Sequence, residues 1–167
     1  MTFQTILGVD PGLINCGVSR WRVYENGTRQ MMKAERISFL QNKAGTLHYE
    51  YKQMYLPQLV SLAVQEREEL FQGVDLAVIE GQMARRMICV AQSIEHALLA
   101  RNSRVVTLPP RTLKVYFGIS TSDYRKNKKA AIAFCNKTLS APQLQIMRKA
   151  CVGGKASVPS LLALHPS

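Results

Sequence analysis

Two carboxylates in this chain follow short apolar runs and are candidates for chemistry. Asp10 comes directly after Ile-Leu-Gly-Val, and Glu80 comes directly after Leu-Ala-Val-Ile. Runs this apolar are typical of strands buried on both faces of a sheet. Because sites in open α/β sheets lie at the carboxyl ends of strands, both side chains are predicted to reach such a site. A carboxylate that only caps the following Pro-Gly turn is the alternative for Asp10.

A pair of carboxylates held close together is best suited to binding a divalent cation. Mg²⁺ and Mn²⁺ prefer oxygen ligands, and Mg²⁺ keeps positions open for water and phosphate. Ions held in this way activate water in phosphodiester hydrolysis. A glycosidase also uses two carboxylates, as an acid/base pair. That alternative does not account for the charge distribution of the chain.

The net charge of +11 is concentrated in the second half of the 167 residues. Residues 1–80 contain 8 Lys/Arg and 9 Asp/Glu, whereas residues 81–167 contain 14 Lys/Arg and only Glu95 and Asp123 as acids. A basic half of this kind predicts a surface for a polyanion, with nucleic acid as the first candidate. A surface that served solubility alone would mix both signs of charge.

The composition argues against several other classes of protein. The chain has 47% hydrophobic residues, no apolar run near the length of a membrane span and no basic-then-apolar leader. We therefore expect one soluble intracellular domain. The four cysteines are far apart in sequence, which favours free thiols over a zinc site or a disulfide scaffold.

The order of patterns along the chain predicts an α/β fold with a mixed five-stranded sheet. Three strands, a helix, a strand, a helix, a strand and two further helices are expected over residues 6–10, 15–24, 29–39, 46–71, 74–80, 83–100, 104–108, 109–117 and 128–139. Pro57 is expected to kink or divide the first helix, and residues 120–129 to form a basic loop. Leu62 and Leu99 are assigned to the apolar faces of their helices. If the first and fourth strands are parallel neighbours, Asp10 and Glu80 meet.

Four segments of the sequence resemble RuvC-type Holliday junction resolvases, which belong to the RNase H-like superfamily. They are Ile-Leu-Gly-Val-Asp-Pro-Gly at 6–12, Ala-Val-Ile-Glu-Gly-Gln at 77–82, Leu-Pro-Pro-Arg-Thr-Leu-Lys-Val-Tyr-Phe-Gly at 108–118 and the Lys-rich stretch at 124–131. The match in order and spacing is more specific than any one motif. The Ile-Glu-Gly-Gln form at 79–82, followed by an Arg-rich helix, is most similar to the poxviral and mitochondrial branch. The resemblance implies an RNase H-like sheet with helices on both faces. It also implies a homodimer that nicks branched DNA, namely four-way junctions, using Mg²⁺ or Mn²⁺.

The same resemblance implies roles for individual residues at matching positions. Asp10 and Glu80 would be the catalytic metal ligands. The candidates for DNA contact are Gln82, Arg85, Arg86, Lys114, Arg125, Lys126, Lys128 and Lys129. As a set, the basic residues would supply the salt-dependent part of DNA affinity, although a solvated surface charge is the alternative for each one. Gln82 could instead orient Glu80.

The C-terminal part of the chain departs from the family pattern. The family closes its site with aspartates in an Asp-x-x-Asp arrangement, whereas residues 124–167 contain neither Asp nor Glu. We predict a nuclease domain over residues 1–150 and an atypical tail over 151–167. Three interpretations stay open: a catalytically inactive DNA-binding protein, an altered end of the reading frame, or a site completed by Asp123. The position of Asp123 before a basic helix favours a helix-flanking role.

Overall fold

The computed structural model describes residues 2–46, 55–119 and 122–150, which form a five-stranded sheet with helices on both faces. The strands are β1 (Phe3–Asp10), β2 (Cys16–Tyr24), β3 (Arg29–Ile37), β4 (Leu76–Glu80) and β5 (Arg104–Leu108). The helices are α1 (Leu56–Gln65), α2 (Glu68–Phe71), α3 (Arg85–Leu99), α4 (Pro110–Tyr116), α5 (Tyr124–Thr138) and α6 (Ala141–Ala150). The predicted mixed five-stranded α/β fold is confirmed. The predicted tail at 151–167 lies outside the described residues.

The sheet has the strand order β3-β2-β1-β4-β5, so the strand that carries Asp10 is central. β1 pairs antiparallel with β2 and parallel with β4, and β4 pairs parallel with β5. The carboxyl ends of β1, β4 and β5 therefore lie at the same edge of the sheet. Side chains that follow these three strands are brought together there.

Side-chain alternation along the strands divides the core between the two faces of the sheet. On one face Leu7 and Val9 pack into a cluster with residues of α1 and α3. On the other face Ile6 and Trp21 pack with residues of α5 and α6. Both faces of β1 are covered, which explains why its sequence is almost uninterruptedly apolar.

Two of the leucines assigned to the helical core faces are instead exposed. In α3 the buried positions are Val90, Ala91, Ile94 and Leu98, which form one stripe at helical spacing. Leu99 lies one residue beyond this stripe and is 49% exposed, and Leu62 of α1 is 36% exposed. The predicted core positions for these two leucines are wrong, because a narrow stripe suffices to cover the sheet.

The described helices differ from the predicted ones at the start of α1, at the start of α5 and in the presence of α6. Pro57 lies in the first turn of α1, where its missing N–H costs no hydrogen bond, so it does not kink this helix. The other expectation, that Pro57 divides the helix, depends on the residues before Tyr55. Residues 47–54 of the predicted helix lie outside the described residues. The predicted loop at 120–129 is helical from Tyr124, because Asp123 caps α5 by accepting from the backbone N–H groups of Arg125 and Lys126. The helix α6 was not predicted.

The turn after β1 requires glycine at position 12 for space rather than for a positive φ. A Cβ on Gly12 would lie 2.6 Å from the backbone oxygen of Asn15. Gly12 does not have a positive φ, so the requirement for glycine here is one of space alone. The close approach folds the chain back into β2 directly after Asp10.

The free thiols expected from the sequence are present at Cys16, Cys89 and Cys135. Burial raises the pKa of the Cys16 thiol to about 12, which keeps it neutral and unreactive. In the part of the chain that the structure describes, no helix is long and apolar enough to cross a membrane.

Candidate active site

The parallel pairing of β1 with β4 places Asp10 and Glu80 side by side. Val9 pairs with Ile79, so the residues that follow them, Asp10 and Glu80, lie at the same level along the two strands. Val9 and Ile79 are buried in the cluster under α1 and α3, and alternation points the two carboxylates toward the opposite face. The two carboxyl groups lie close enough to hydrogen-bond to each other when one carries a proton. The predicted meeting of Asp10 and Glu80 is therefore confirmed.

The environment of Asp10 opposes its ionisation. Burial raises the pKa of Asp10 to about 7, and the neighbouring Glu80 adds to this by charge repulsion and by its hydrogen bond. Lys114 and Lys128 act in the opposite direction, because their ammonium groups favour the ionised carboxylate. A carboxylate pair that cannot easily hold two negative charges is typical of a functional site.

Two predicted DNA-contact lysines lie beside these carboxylates. The Nζ atom of Lys114 is 3.6 Å from Oε1 of Glu80, and their side chains are 38% and 19% exposed. Lys114 belongs to α4, which follows β5 at the same sheet edge, and the half-buried Lys128 reaches the site from α5. Sequence reasoning missed this proximity, since no spacing pattern links Glu80 to either lysine.

Gln82 contacts the strand end and not the carboxylate of Glu80. Its Nε2 donates to the backbone oxygen of Glu80 at 3.2 Å. One residue earlier, the backbone N–H of Gly81 donates to the oxygen of Leu108 at 2.7 Å. These two hydrogen bonds hold the loop that carries the chain away from the site.

The other predicted DNA-contact residues are exposed on two helices. Arg85 and Arg86 begin α3, only a short loop after Glu80. Exposed basic residues of α5 form the second group, namely Arg125, Lys126 and Lys129. The helices carry further exposed basic residues that the predicted set did not contain, which are Arg111, Lys137, Arg148 and Lys149.

The carboxylate pair fits a small divalent cation in type and number of ligands. Mg²⁺ is commonly held by one or two protein carboxylates and completes its shell with water and phosphate oxygens. Within residues 2–46, 55–119 and 122–150, no group of three or more His, Cys, Asp and Glu side chains could hold a metal ion. Asp123 is occupied as the cap of α5, so the described part of the chain does not support it as a third ligand.

Comparisons with known proteins identify the fold. No family model and no curated protein matches the sequence. The crystal structure of the fowlpox virus Holliday junction resolvase is similar with a TM-score of 0.66 and 16% identity, covering 96% of this chain and 95% of that one. The fold is that of a Holliday junction resolvase.

Two further solved structures agree with this resolvase fold. The yeast mitochondrial Holliday junction resolvase Ydc2 has a TM-score of 0.61 and 12% identity, covering 96% of this chain and 77% of that one. RuvC from T. thermophilus, in complex with a Holliday junction substrate, has a TM-score of 0.51 and 14% identity over 96% and 87% of the two chains. The resolvase fold expected from the resemblance is confirmed, and by TM-score the fowlpox virus and yeast mitochondrial structures are more similar to this chain than RuvC is.

Proposed function

We propose that this protein is a Holliday junction resolvase, a structure-selective endonuclease that hydrolyses DNA phosphodiesters at four-way junctions and so acts in DNA recombination and repair. The observation that carries the proposal is the pairing of Asp10 with Glu80 at the carboxyl ends of adjacent parallel strands. The pair lies in a fold shared with three resolvases. It is also flanked by two lysines suited to phosphate.

Asp10 and Glu80 would hold Mg²⁺ or Mn²⁺, which when bound supplies positive charge beside the scissile phosphate and lowers the pKa of nearby water. Each of these carboxylates must be ionised to serve as a ligand, and the raised pKa of Asp10 opposes this in the absence of a cation. Lys114 and Lys128 offset part of the negative charge, and Gln82 keeps the end of β4 in place. The site's own residues thus position ligands and balance charge.

The exposed basic residues on α3 and α5 would bind the DNA backbone. Arg85 and Arg86 are close in sequence to Glu80, and α5 brings its basic residues to the side on which Lys128 approaches Asp10. Contacts to phosphates fix the register of a nucleic acid without reading its sequence. Such a surface suits a substrate recognised by its branched shape, with an affinity that falls steeply as salt is added.

A catalytically inactive junction-binding protein is the second candidate. The observation that favours it is the small number of ligands, because residues 124–167 contain no Asp or Glu. In the described ranges, Asp10 and Glu80 likewise have no third acidic partner. With two carboxylates, a first cation would be held weakly and a second one would lack protein ligands. Junction binding through the basic residues would be unaffected.

Cleavage of a synthetic four-way junction tests the two candidates. The unmodified protein is incubated with the junction, or with linear duplex of the same sequence, in Mg²⁺ or Mn²⁺. We expect cleavage of the junction alone, and a loss of roughly 100-fold to 1000-fold in Asp10→Asn, because a charge beside the reacting phosphate is lost.

Asp123→Asn is the matched control, since Asn is an equally good helix cap and the site is untouched. Binding without cleavage in either ion would overturn the nuclease and leave the inactive binding protein. Cleavage that persists in Asp10→Asn would overturn the assignment of the site.

We further propose that the protein acts as a homodimer in a DNA-containing compartment. A groove of about 410 Å³ between α1 and α3 offers a surface on which two copies of a strongly basic chain would not repel each other. It is lined by the uncharged residues Pro57, Ser61, Cys89, Gln92, Ser93 and Ala97 together with His96. Light scattering should show a dimer, and Gln92→Arg should weaken it; a monomer at micromolar concentration would contradict the proposal.

A further inference from the structure

The ion pair between Lys114 and Glu80 gives one lysine two competing partners. Glu80 is a proposed cation ligand, and Lys114 was predicted to contact a DNA phosphate. In the free protein these two residues contact each other, with Nζ 3.6 Å from Oε1. The half-exposed Lys114 is also open to solvent from which a phosphate would approach, whereas Glu80 is the more buried partner.

We propose that Lys114 couples cation binding to DNA binding, by pairing with Glu80 in the free protein and moving to a phosphate when the junction arrives. This inference rests on the proposed function and adds a regulatory role for one residue. Without DNA, Lys114 competes with the cation for Glu80 and repels it. With DNA, the phosphate draws the ammonium group away and leaves Glu80 available.

The position of Lys114 makes this exchange physically accessible. α4 is a short helix at the edge of the sheet, and a lysine has four rotatable side-chain bonds with which to change partners. An ion pair at a partly exposed position contributes about 0.2–1 kcal/mol, so a phosphate of higher charge can displace it. A tight, fully buried pair would not release its lysine in this way.

Thermodynamic linkage makes the proposal reciprocal. If the junction raises the affinity for the cation by some factor, the cation raises the affinity for the junction by the same factor. A lysine that only stabilised the fold would produce no such coupling. Replacing Lys114 with a neutral residue should therefore change both the cation affinity of the free protein and the effect of the cation on junction affinity.

The experiment measures binding rather than activity, with Ca²⁺ as the probe ion because it too prefers oxygen ligands. Calorimetry gives the Ca²⁺ affinity of the free protein, and fluorescence anisotropy gives the affinity for a four-way junction in EDTA and in Ca²⁺. The proteins compared are the unmodified chain, Lys114→Gln, and Arg111→Gln as a matched control. Arg111→Gln removes one exposed charge from the same helix.

We expect Lys114→Gln to bind Ca²⁺ roughly twofold to fivefold more tightly than the unmodified protein in the absence of DNA. Arg111→Gln should change the Ca²⁺ affinity by less than about twofold, since the charge that it removes is exposed and therefore screened by solvent and salt. Ca²⁺ should strengthen junction binding of the unmodified protein, and this gain should shrink in Lys114→Gln.

Equal Ca²⁺ affinities of the two variants, or junction binding that Ca²⁺ leaves unchanged in the unmodified protein, would overturn the coupling. Either result would leave the proposed nuclease intact if the junction is still cleaved in an Asp10-dependent manner. A failure of every variant to bind Ca²⁺ would overturn both the coupling and the proposed cation site.

Discussion

Two clusters of charged side chains in this molecule differ in the signs of the charges that they bring together. The first is the site, where Asp10 and Glu80 lie against each other and burial, followed by repulsion from Glu80, raises the pKa of Asp10 to about 7. The second, which we call the strut cluster, connects β3 with the segment between α1 and α2. It consists of Lys33, Glu35, Lys43, Glu66, Arg67 and Glu69.

Positive and negative side chains alternate in the strut cluster. Arg67, which is only 4% exposed, contacts Glu35 and Glu66. On the outer side, Glu69 accepts from Lys33 at 2.7 Å and from Lys43 at 2.6 Å, which lowers the pKa of Glu69 to about 2. Every carboxylate of this cluster has a cation beside it in the folded state.

The two clusters differ in how their charges affect the stability of the folded state. In the strut cluster, the charges stabilise the fold, and removing the buried Arg67 takes a cation away from both Glu35 and Glu66. In the site, two like charges are held together at a cost, and a divalent cation is the species that would relieve it. The same residue types thus stabilise the fold in one arrangement and oppose it in the other.

The largest effect on stability is expected from Arg67→Ala. The substitution leaves Glu35 without its buried cation and removes the hydrogen bond from Arg67 to the backbone oxygen of Ala63. We expect the free energy of unfolding to fall by about 3–5 kcal/mol, measured by denaturant titration. Lys33→Ala, at a partly exposed position of the same cluster, should cost less than about 1 kcal/mol. Similar losses for both variants would contradict a special role for the buried cation.

At the site, by contrast, removing a charge is expected to raise the free energy of unfolding. Asp10→Asn removes a carboxylate whose ionised form is opposed by burial and by repulsion from Glu80, so the free energy of unfolding of the metal-free protein should rise at pH 8, on the order of 2 kcal/mol. Denaturant titration in EDTA measures the gain. Asp123→Asn, which keeps a cap on α5, should leave stability nearly unchanged. A loss of stability in Asp10→Asn would contradict the description of the site as unfavourable.

The stability that Asp10→Asn gains over the unmodified protein should increase as the pH rises. Asp10 releases its proton near pH 3.8 when unfolded but holds it up to about pH 7 when folded, so the folded state binds more protons between these values. The free energy of unfolding of the unmodified protein should therefore fall across this interval relative to that of Asp10→Asn, and stay level above it. A difference between the two proteins that did not vary with pH would contradict the raised pKa.

The smallest effect is expected from Glu69→Gln. Because the folded pKa of Glu69 is lowered, its contribution is present above about pH 4.5 and is lost as the pH falls toward about 2. The side chain is 42% exposed, so solvent screening keeps the loss at neutral pH well under about 1 kcal/mol. Added salt should reduce this loss of stability further, which thermal unfolding at low and high ionic strength measures. A salt-independent loss would indicate a packing role instead.

Local patterns made the strands and the two carboxylates predictable. β1 and β4 are covered on both faces, and only apolar residues suit such strands, so their sequences stand out. The boundaries of β5 were predicted without error, because a Pro-Pro pair follows Leu108. Motif resemblance added the order and spacing that linked Asp10 with Glu80.

Patterns alone failed where several structures suit the same residues. The start of α5 is basic and polar, which favours a loop, yet the cap formed by Asp123 extends the helix to Tyr124. Leu99 follows the apolar stripe of α3 closely enough to be assigned to the core, although the sheet leaves it exposed. The choice depends on where the neighbouring layer ends, and helical spacing does not contain that information.

The sequence by itself determined the five strands, the positions of Asp10 and Glu80 at strand ends, and the concentration of positive charge in the second half of the chain. Only the tertiary structure decided which of the many basic residues lie beside the carboxylates. Lys114 and Lys128 belong to separate helices, and they meet the acids because α4 and α5 pack near the edge at which β1, β4 and β5 end. Contacts between elements distant in sequence depend on packing, and no local pattern of residue types records them.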